Sequence, residues 1–261
     1  MGTVKDPWEL ALMRNSGRRL AEVAAGLRDA LRAGVSTGEL DALAEAHTRK
    51  LGAIPSFKGY EVGGNVFPAT ICASPNEQIV HGIPNDRVLV DGDIISIDMG
   101  LVYGGYHADM AFTVVIGDVP EEVRSLVART EQSLYEGIAL ARSGNRIGDI
   151  GHAIQSFIDP YKYGIVREYV GHGIGRALHE APSVPNFGKP GRGHRIKAGM
   201  CFAIEPMITL GSYHTEVLDD GWTVVTADRS LAAHFEHTVA VTPRGPEILT
   251  VMDQADSRPS A

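Results

Sequence analysis

The sequence predicts an α/β (α+β) fold made of two related halves, each a pair of helices followed by strands. Three observations carry that expectation. Four segments place apolar residues three and four apart, the spacing of one helix face. Residues 91–115, DGDIISIDMGLVYGGYHADMAFTVV, read as a β-hairpin. Short motifs recur in the same order in both halves.

Taken in order, residues 9–33 carry Leu10, Met13, Gly17, Leu20, Ala24, Leu27 and Leu31 on one helical face, and Gly34 ends the helix. Ser36 and Glu39 form a capping box, opening a second helix through Leu40, Leu43, Ala44, His47 and Leu51. Residues 53–84 are rich in Gly, Pro and aromatics, which predicts short strands around Ile71–Cys72 and Ile79–Val80 delivering His81. A third helix starts at Glu121-Glu122, runs through Leu126, Leu134 and Ile138 and stops at Gly144; a fourth carries Ile147, Ile150, Ile154 and Ile158 up to Pro160. Strands are expected near 165–170 and at 201–208, 222–226 and 236–241, with a Pro/Gly-rich loop at 181–193. These boundaries predict a single domain over 1–261, with halves at about 9–118 and 120–250 and a polar tail at 253–261 expected to be disordered.

In the hairpin, the runs at 94–97 and 112–115 are β-branched and aromatic, and residues 103–106 supply the turn. A two-residue turn at Tyr103-Gly104 sets Asp98 opposite Asp109. One centred on Gly104-Gly105 offsets the pair by two positions. Carboxylates on one strand face are either solvated or held together by a proton or cation.

The repeats favour the cation. Gly34-x3-Gly38-Glu39-Leu40 matches Gly144-x3-Gly148-Asp149-Ile150, and His81-Gly82-Ile83 matches His172-Gly173-Ile174. Gly92 stands before Asp98 as Gly199 stands before Glu205, and His107-Ala108-Asp109 matches His234-Phe235-Glu236. Halves packed about a pseudo-two-fold axis bring Asp98, Asp109, Glu205 and Glu236 together beside His172. Four buried carboxylates require compensation of about +4, which two divalent ions supply. The oxygen-rich set suits Mn, Fe(II), Co or Zn, and two such ions acidify a shared water and polarise a carbonyl. His81 and His179 remain free to hydrogen-bond a scissile group.

Composition narrows the classes. Lys+Arg of 24 against Asp+Glu of 32 gives a net charge of −8, with no basic cluster to support nucleic-acid binding. No run reaches the length of a membrane span and the start lacks a secretory pattern, so a cytoplasmic protein is expected. Cys72 and Cys201 are expected to be buried thiols.

His81-Gly82-Ile83-Pro84, DGDIISID, His107-x-Asp109, Gly171-His172-Gly173-Ile174-Gly175 with His179-Glu180, Ala203-Ile204-Glu205-Pro206, and Asp228-Arg229-Ser230-Leu231 leading to Glu236-His237-Thr238 resemble type I methionine aminopeptidase. The likeness runs from about Pro7 to Leu249. It implies a pita-bread (creatinase/aminopeptidase) fold, a curved antiparallel sheet backed by helices, and removal of the initiator methionine from nascent chains, with a small second residue preferred. On this resemblance Asp98 chelates one ion, His172 and Glu205 the other, and Asp109 and Glu236 bridge both. His179 stabilises the oxyanion, His81 contacts the scissile amide nitrogen, and Glu205 moves the proton. Tyr60, Phe67, Cys72, Leu178 and Trp222 map to the methionine pocket.

Three positions depart from the family pattern. Leu178 stands where an aromatic is frequent, residues 59–68 form a longer loop than in compact members, and Gly100 follows Met99 where Thr is common. The short His179-to-Glu205 spacing leaves no room for the inserted subdomain of type II enzymes, and the short start points to the compact bacterial form. Nascent polypeptide N-termini are the implied partners, with transient ribosome association and a monomeric state. An X-Pro peptidase of the same fold and a non-catalytic relative are the competing readings. The first usually carries a large N-terminal domain, and the second has typically lost ligands that all stand in this sequence.

Overall fold

The computed structural model describes residues 2–251, so the tail expected at 253–261 lies outside the described residues. Helix α1 (Pro7–Ala30) begins at a proline, and the Asp6 amide donates to the Glu9 carboxylate at 2.9 Å. Its apolar stripe is the expected one, but it ends three residues before residue 33. Helix α2 (Thr37–Lys50) opens on the Ser36–Glu39 capping box. Helices α3 (Glu121–Ala139) and α4 (Ile147–Ile158) follow in the second half. No helix among the described residues is long and apolar enough to cross a membrane.

The main sheet has nine strands, paired antiparallel. Across it run Ile54–Pro55, Ile94–Tyr103, Tyr106–Val115, Glu236–Thr242, Cys201–Ile204, Gly171–Gly173 and Glu180–Val184. Ile71–Pro75 also pairs with Ile94–Tyr103, and Gly245–Ile248 with Glu236–Thr242. Alternation then separates the faces. Ile95, Ile97, Met99 and Leu101, with Ala108, Met110 and Phe112, form one core with Leu20 and Leu27 of α1, Leu40 of α2, Leu134 of α3 and Ile150 of α4. Asp98, Asp109 and Glu236 lie on the other face.

The register resolves the hairpin. Tyr103 pairs with Tyr106, so the turn is Gly104-Gly105 and Asp98 faces Ala111, while Asp109 faces Gly100. The register that puts the two aspartates directly opposite is therefore wrong. Gly104 and Gly105 have φ of 59° and 80°, the two positive values a type I′ turn needs to match strand twist. An offset of two keeps side-chain parity, so both carboxylates still share a face.

Backbone hydrogen bonds repeat between the halves. Gly34 N donates to Leu89 O and Gly144 N to Ile196 O; Gly38 N to Asn85 O and Gly148 N to Arg192 O; Gly92 N to Ile116 O and Gly199 N to Val241 O. With Asp109 matched to Glu236, Met110 matches His237. These two residues pair directly across the middle of the sheet. A two-fold relation between the halves passes through that pair.

Several expectations need correction. The strand expected over 165–170 is only Gly164–Ile165. The one expected over 201–208 breaks into Cys201–Ile204 and Met207–Thr209, because Pro206 has no amide to donate. The loop expected over 181–193 starts inside the strand Glu180–Val184, and that over 222–226 is strand only from Val224. Cys72 and Cys201 are free and buried.

Helix α1 crosses the chain near Leu249 at Gly17, where an added Cβ would lie 2.2 Å from the Leu249 carbonyl oxygen. Gly17→Ala should therefore destabilise the protein by about 1–3 kcal/mol in urea unfolding, although alanine favours helices. A variant as stable as the parent would show that the crossing is looser than described.

Candidate active site

The site follows from register and the size of its neighbours. One row across the sheet reads Cys72, Asp98, Ala111, Glu236. In the next, Asp109 has Gly100 on one side. On its other side the Thr238 hydroxyl accepts from the Asp109 amide at 2.9 Å and donates to its carbonyl at 2.8 Å. Beyond Thr238 come Ala203 and His172. Gly100, Ala111 and Ala203 are small, so the carboxylates and the imidazole project into the same space. Glu205 enters where its strand stops at Pro206, and Asn186 Nδ2 donates to its carbonyl at 3.0 Å.

His172 Nδ1 donates to the Gly173 carbonyl at 2.9 Å, which leaves the Nε2 lone pair facing the acids. Nε2 is 3.8 Å from Asp109 Oδ2 and 3.7 Å from Glu205 Oε1. Donor atoms of Asp109, His172 and Glu236 lie within 4.8 Å of one another, as do those of Glu205, His234 and Glu236. Asp98 Oδ1, Asp109 Oδ1 and Glu236 Oε1 are buried without a hydrogen-bond partner.

Burial raises the Asp98 carboxyl to about 7, with Glu205 adding to the rise and His234 opposing it. Asp109 goes well above the usual range through burial, then Asp98 and Glu205. Glu236 does the same through burial, Asp109, Glu205 and Asp98. For Glu205 the upward push of burial is outweighed by His234 and His172, and its pKa falls. Unpaired anionic oxygens around an imidazole whose far nitrogen is tied down are a donor set that fits hard or borderline divalent cations.

Beside these groups is a cavity of about 350 Å³. Every residue assigned from the sequence lines it: Asp98, Asp109, His172, Glu205 and Glu236, His81 and His179, and Tyr60, Phe67, Cys72, Leu178 and Trp222. Phe57 and Val62 line it as well and were not foreseen. The longer loop at 59–68 is a small hairpin, Glu61–Val62 with Asn65–Val66, and it carries Val62 to the wall. Phe67 meets Trp222 edge to face at 5.2 Å.

The two histidines are held in different ways. His81 sits at φ 60°, with Gly82 N donating to Ser74 Oγ and Ala73 N to Gly82 O. His179 Nδ1 is 2.8 Å from the Tyr60 hydroxyl, and the adjacent Glu180 is tied to buried Lys5 at 2.9 Å. Burial lowers both imidazoles to about 4, His172 adding to the effect at His179, so both are neutral near pH 7. His234, also unforeseen, lies at the acidic cluster 3.6 Å from Glu205. Its signal in the sequence is the repeat, which matches it to His107.

The profile of metallopeptidase family M24 matches residues 11–243. Methionine aminopeptidase 1 of Bacillus subtilis is 50% identical over 246 residues, 94% of this chain and 98% of that protein. The methionine aminopeptidase of Clostridium perfringens is 49% identical over 249 residues, 95% of this chain and 98% of its own length. Among solved structures, the methionine aminopeptidase of Rickettsia prowazekii superposes with a TM-score of 0.93 at 40% identity, covering 96% of this chain and 100% of that one. A prolidase from Pyrococcus furiosus, at TM-score 0.76 and 20% identity over 96% of this chain and 66% of that one, shares the fold.

The electrostatics predict how stability without metal depends on pH. A carboxyl raised on folding binds its proton more tightly in the native state, so its contribution declines as pH rises from the unfolded value to the folded one. For Asp98 that window runs from 3.8 to about 7, and Asp109 and Glu236 extend it upward. His81 and His179, lowered from 6.5 to about 4, act in the opposite sense, adding stability as pH rises between those values. Above about pH 6.5 only the decline remains. In EDTA the melting temperature should fall from pH 6.5 to 8.5, and Mn²⁺ should raise it more at pH 8.5. Equal Mn²⁺ shifts at both pH values would contradict the account.

Proposed function

The chain belongs to metallopeptidase family M24 and, within it, to the methionine aminopeptidases, and from that premise we propose that it removes the N-terminal methionine of nascent chains with two divalent ions, favouring a small second residue. The observation that carries this reading is the convergence of Asp98, Asp109, His172, Glu205 and Glu236 beside an aromatic-walled cavity. Asp98 would hold one ion, His172 and Glu205 the other, and Asp109 and Glu236 both. Bound there, Fe(II), Mn, Co or Zn would acidify a water and polarise the scissile carbonyl.

The side chains of this protein do the rest. An unbranched thioether suits the walls formed by Tyr60, Phe67, Cys72, Leu178 and Trp222, to which the fold adds Phe57 and Val62. A Tyr60 hydroxyl that donates to Nδ1 leaves His179 with its proton on Nε2, ready to donate to the developing oxyanion. Neutral His81 contacts the scissile amide nitrogen, and Glu205, its pKa low, takes a proton and passes it to the leaving amine. The free α-amine is held beside Asp98, which restricts cutting to chain ends. Nascent chains emerge into the cytoplasm, so this reading puts a monomer there, in transient contact with the ribosome.

Replacing Asp98 or Glu236 by its amide should abolish both metal uptake and cleavage of a Met-Ala-Ser peptide. Full activity in either variant would refute the reading. His179→Gln should keep metal while kcat drops about 10²- to 10³-fold, the cost of losing an oxyanion donor. Across Met-X peptides, turnover should fall as X grows, and Ala-Pro should not be cut. Preferential cleavage of Ala-Pro would instead favour an X-Pro peptidase.

A further inference from the structure

We propose that His234 is a positioning residue of this site, whose Nε2–H donates to Glu205 Oε2 and fixes how that carboxylate is turned. The inference rests on the function proposed above and adds a residue to it. His234 is 1% exposed, and neither ring nitrogen has a hydrogen-bond partner. An imidazole buried that way is costly unless it finds an acceptor. The acceptor at hand is Glu205 Oε2, 3.6 Å from Nε2, and a small side-chain rotation closes the gap to bonding distance.

The backbone of His234 is clamped as the backbone of Asp109 is. The Thr113 hydroxyl donates to the His234 carbonyl and accepts from its amide, both at 2.9 Å, and Ser96 Oγ lies 2.9 Å from Thr113 Oγ1. Thr238 clamps Asp109 through the same pair of bonds. The fold thus spends buried hydroxyls on locating His234 as it does on a candidate ligand.

His172 shows why His234 positions rather than ligates. A ligating histidine almost always donates its far ring nitrogen to an oxygen, as His172 does to Gly173 O. His234 Nδ1 has no such partner. The two imidazoles bracket Glu205, His172 Nε2 at 3.7 Å from Oε1 and His234 Nε2 at 3.6 Å from Oε2. With Oε2 engaged, Oε1 is the oxygen left for an ion, on the His172 side.

The test compares His234→Leu, which removes the donor, with His234→Gln, which retains one of similar reach, in the full chain loaded with Mn²⁺. Readouts are Mn²⁺ affinity by calorimetry, the number of imidazole nitrogens coupled to Mn²⁺ by pulsed EPR, and kcat and KM on Met-Ala-Ser. His234→Leu should weaken Mn²⁺ binding about 10- to 100-fold, as loss of an outer hydrogen bond does, with the imidazole count unchanged and kcat affected more than KM. His234→Gln should recover most of the loss. If the leucine variant fails to fold, His234→Asn, whose donor stops short of Glu205, takes its place. Wild-type affinity in the donorless variant, a glutamine variant equally impaired, or one coupled imidazole fewer would overturn the proposal, the last by making His234 a ligand. A parent protein that binds no Mn²⁺ would instead remove the function on which the proposal rests.

Discussion

The constraint that shapes this molecule is the cost of taking carboxylates out of water. Asp109 and Glu236 are 3% and 2% exposed, and each keeps an oxygen with no donor to meet it. A protein interior does not tolerate that many anionic oxygens without opposite charge. The raised pKa values of Asp98, Asp109 and Glu236 are the same fact expressed in protons. Either protons or cations must accompany these side chains, and the exchange between the two ties metal binding to pH.

Duplication makes such a cluster attainable. Each half brings helices to one side of the sheet and acids to the other, and the Met110–His237 pair sets the halves facing. The helix face is apolar from Ile95 to Leu101, and that packing holds the strands at fixed spacing. On the site face the positions between the acids are Gly100, Ala111 and Ala203, which fill little volume. Hydroxyls at Thr113 and Thr238 lock the backbone where chemistry is concentrated. Rigid strands rather than loops therefore carry Asp98, Asp109, His172 and Glu236, while Glu205 sits where a strand breaks.

Much of this was legible in the residues. Helical periodicity, with the Ser36–Glu39 capping box at α2, located α1 to α4, and the repeated motifs gathered the five ligand candidates. The register was not legible, because alternation with period two fixes which face a residue takes but not its partner; Asp98 and Asp109 stayed together because the slip was two positions. The strand at Glu180–Val184 was hidden in a Pro/Gly-rich stretch, since its pairing to Gly171–Gly173 is a long-range choice with a register shift. Phe57 and Val62 belong to no motif; Val62 reaches the cavity on the hairpin at Glu61–Val66, and Phe57 from the bend that follows the strand Ile54–Pro55. His234 had a signal, its match to His107, but a repeat gives equivalence without saying which copy faces the acids.

Anomalous diffraction from crystals grown with manganese tests the central claim most directly. The account predicts two anomalous peaks about 3.5–4 Å apart, with Asp109 and Glu236 between them, Asp98 on one and His172 with Glu205 on the other. Peaks elsewhere on the molecule, or these carboxylates turned apart with no peak among them, would contradict it.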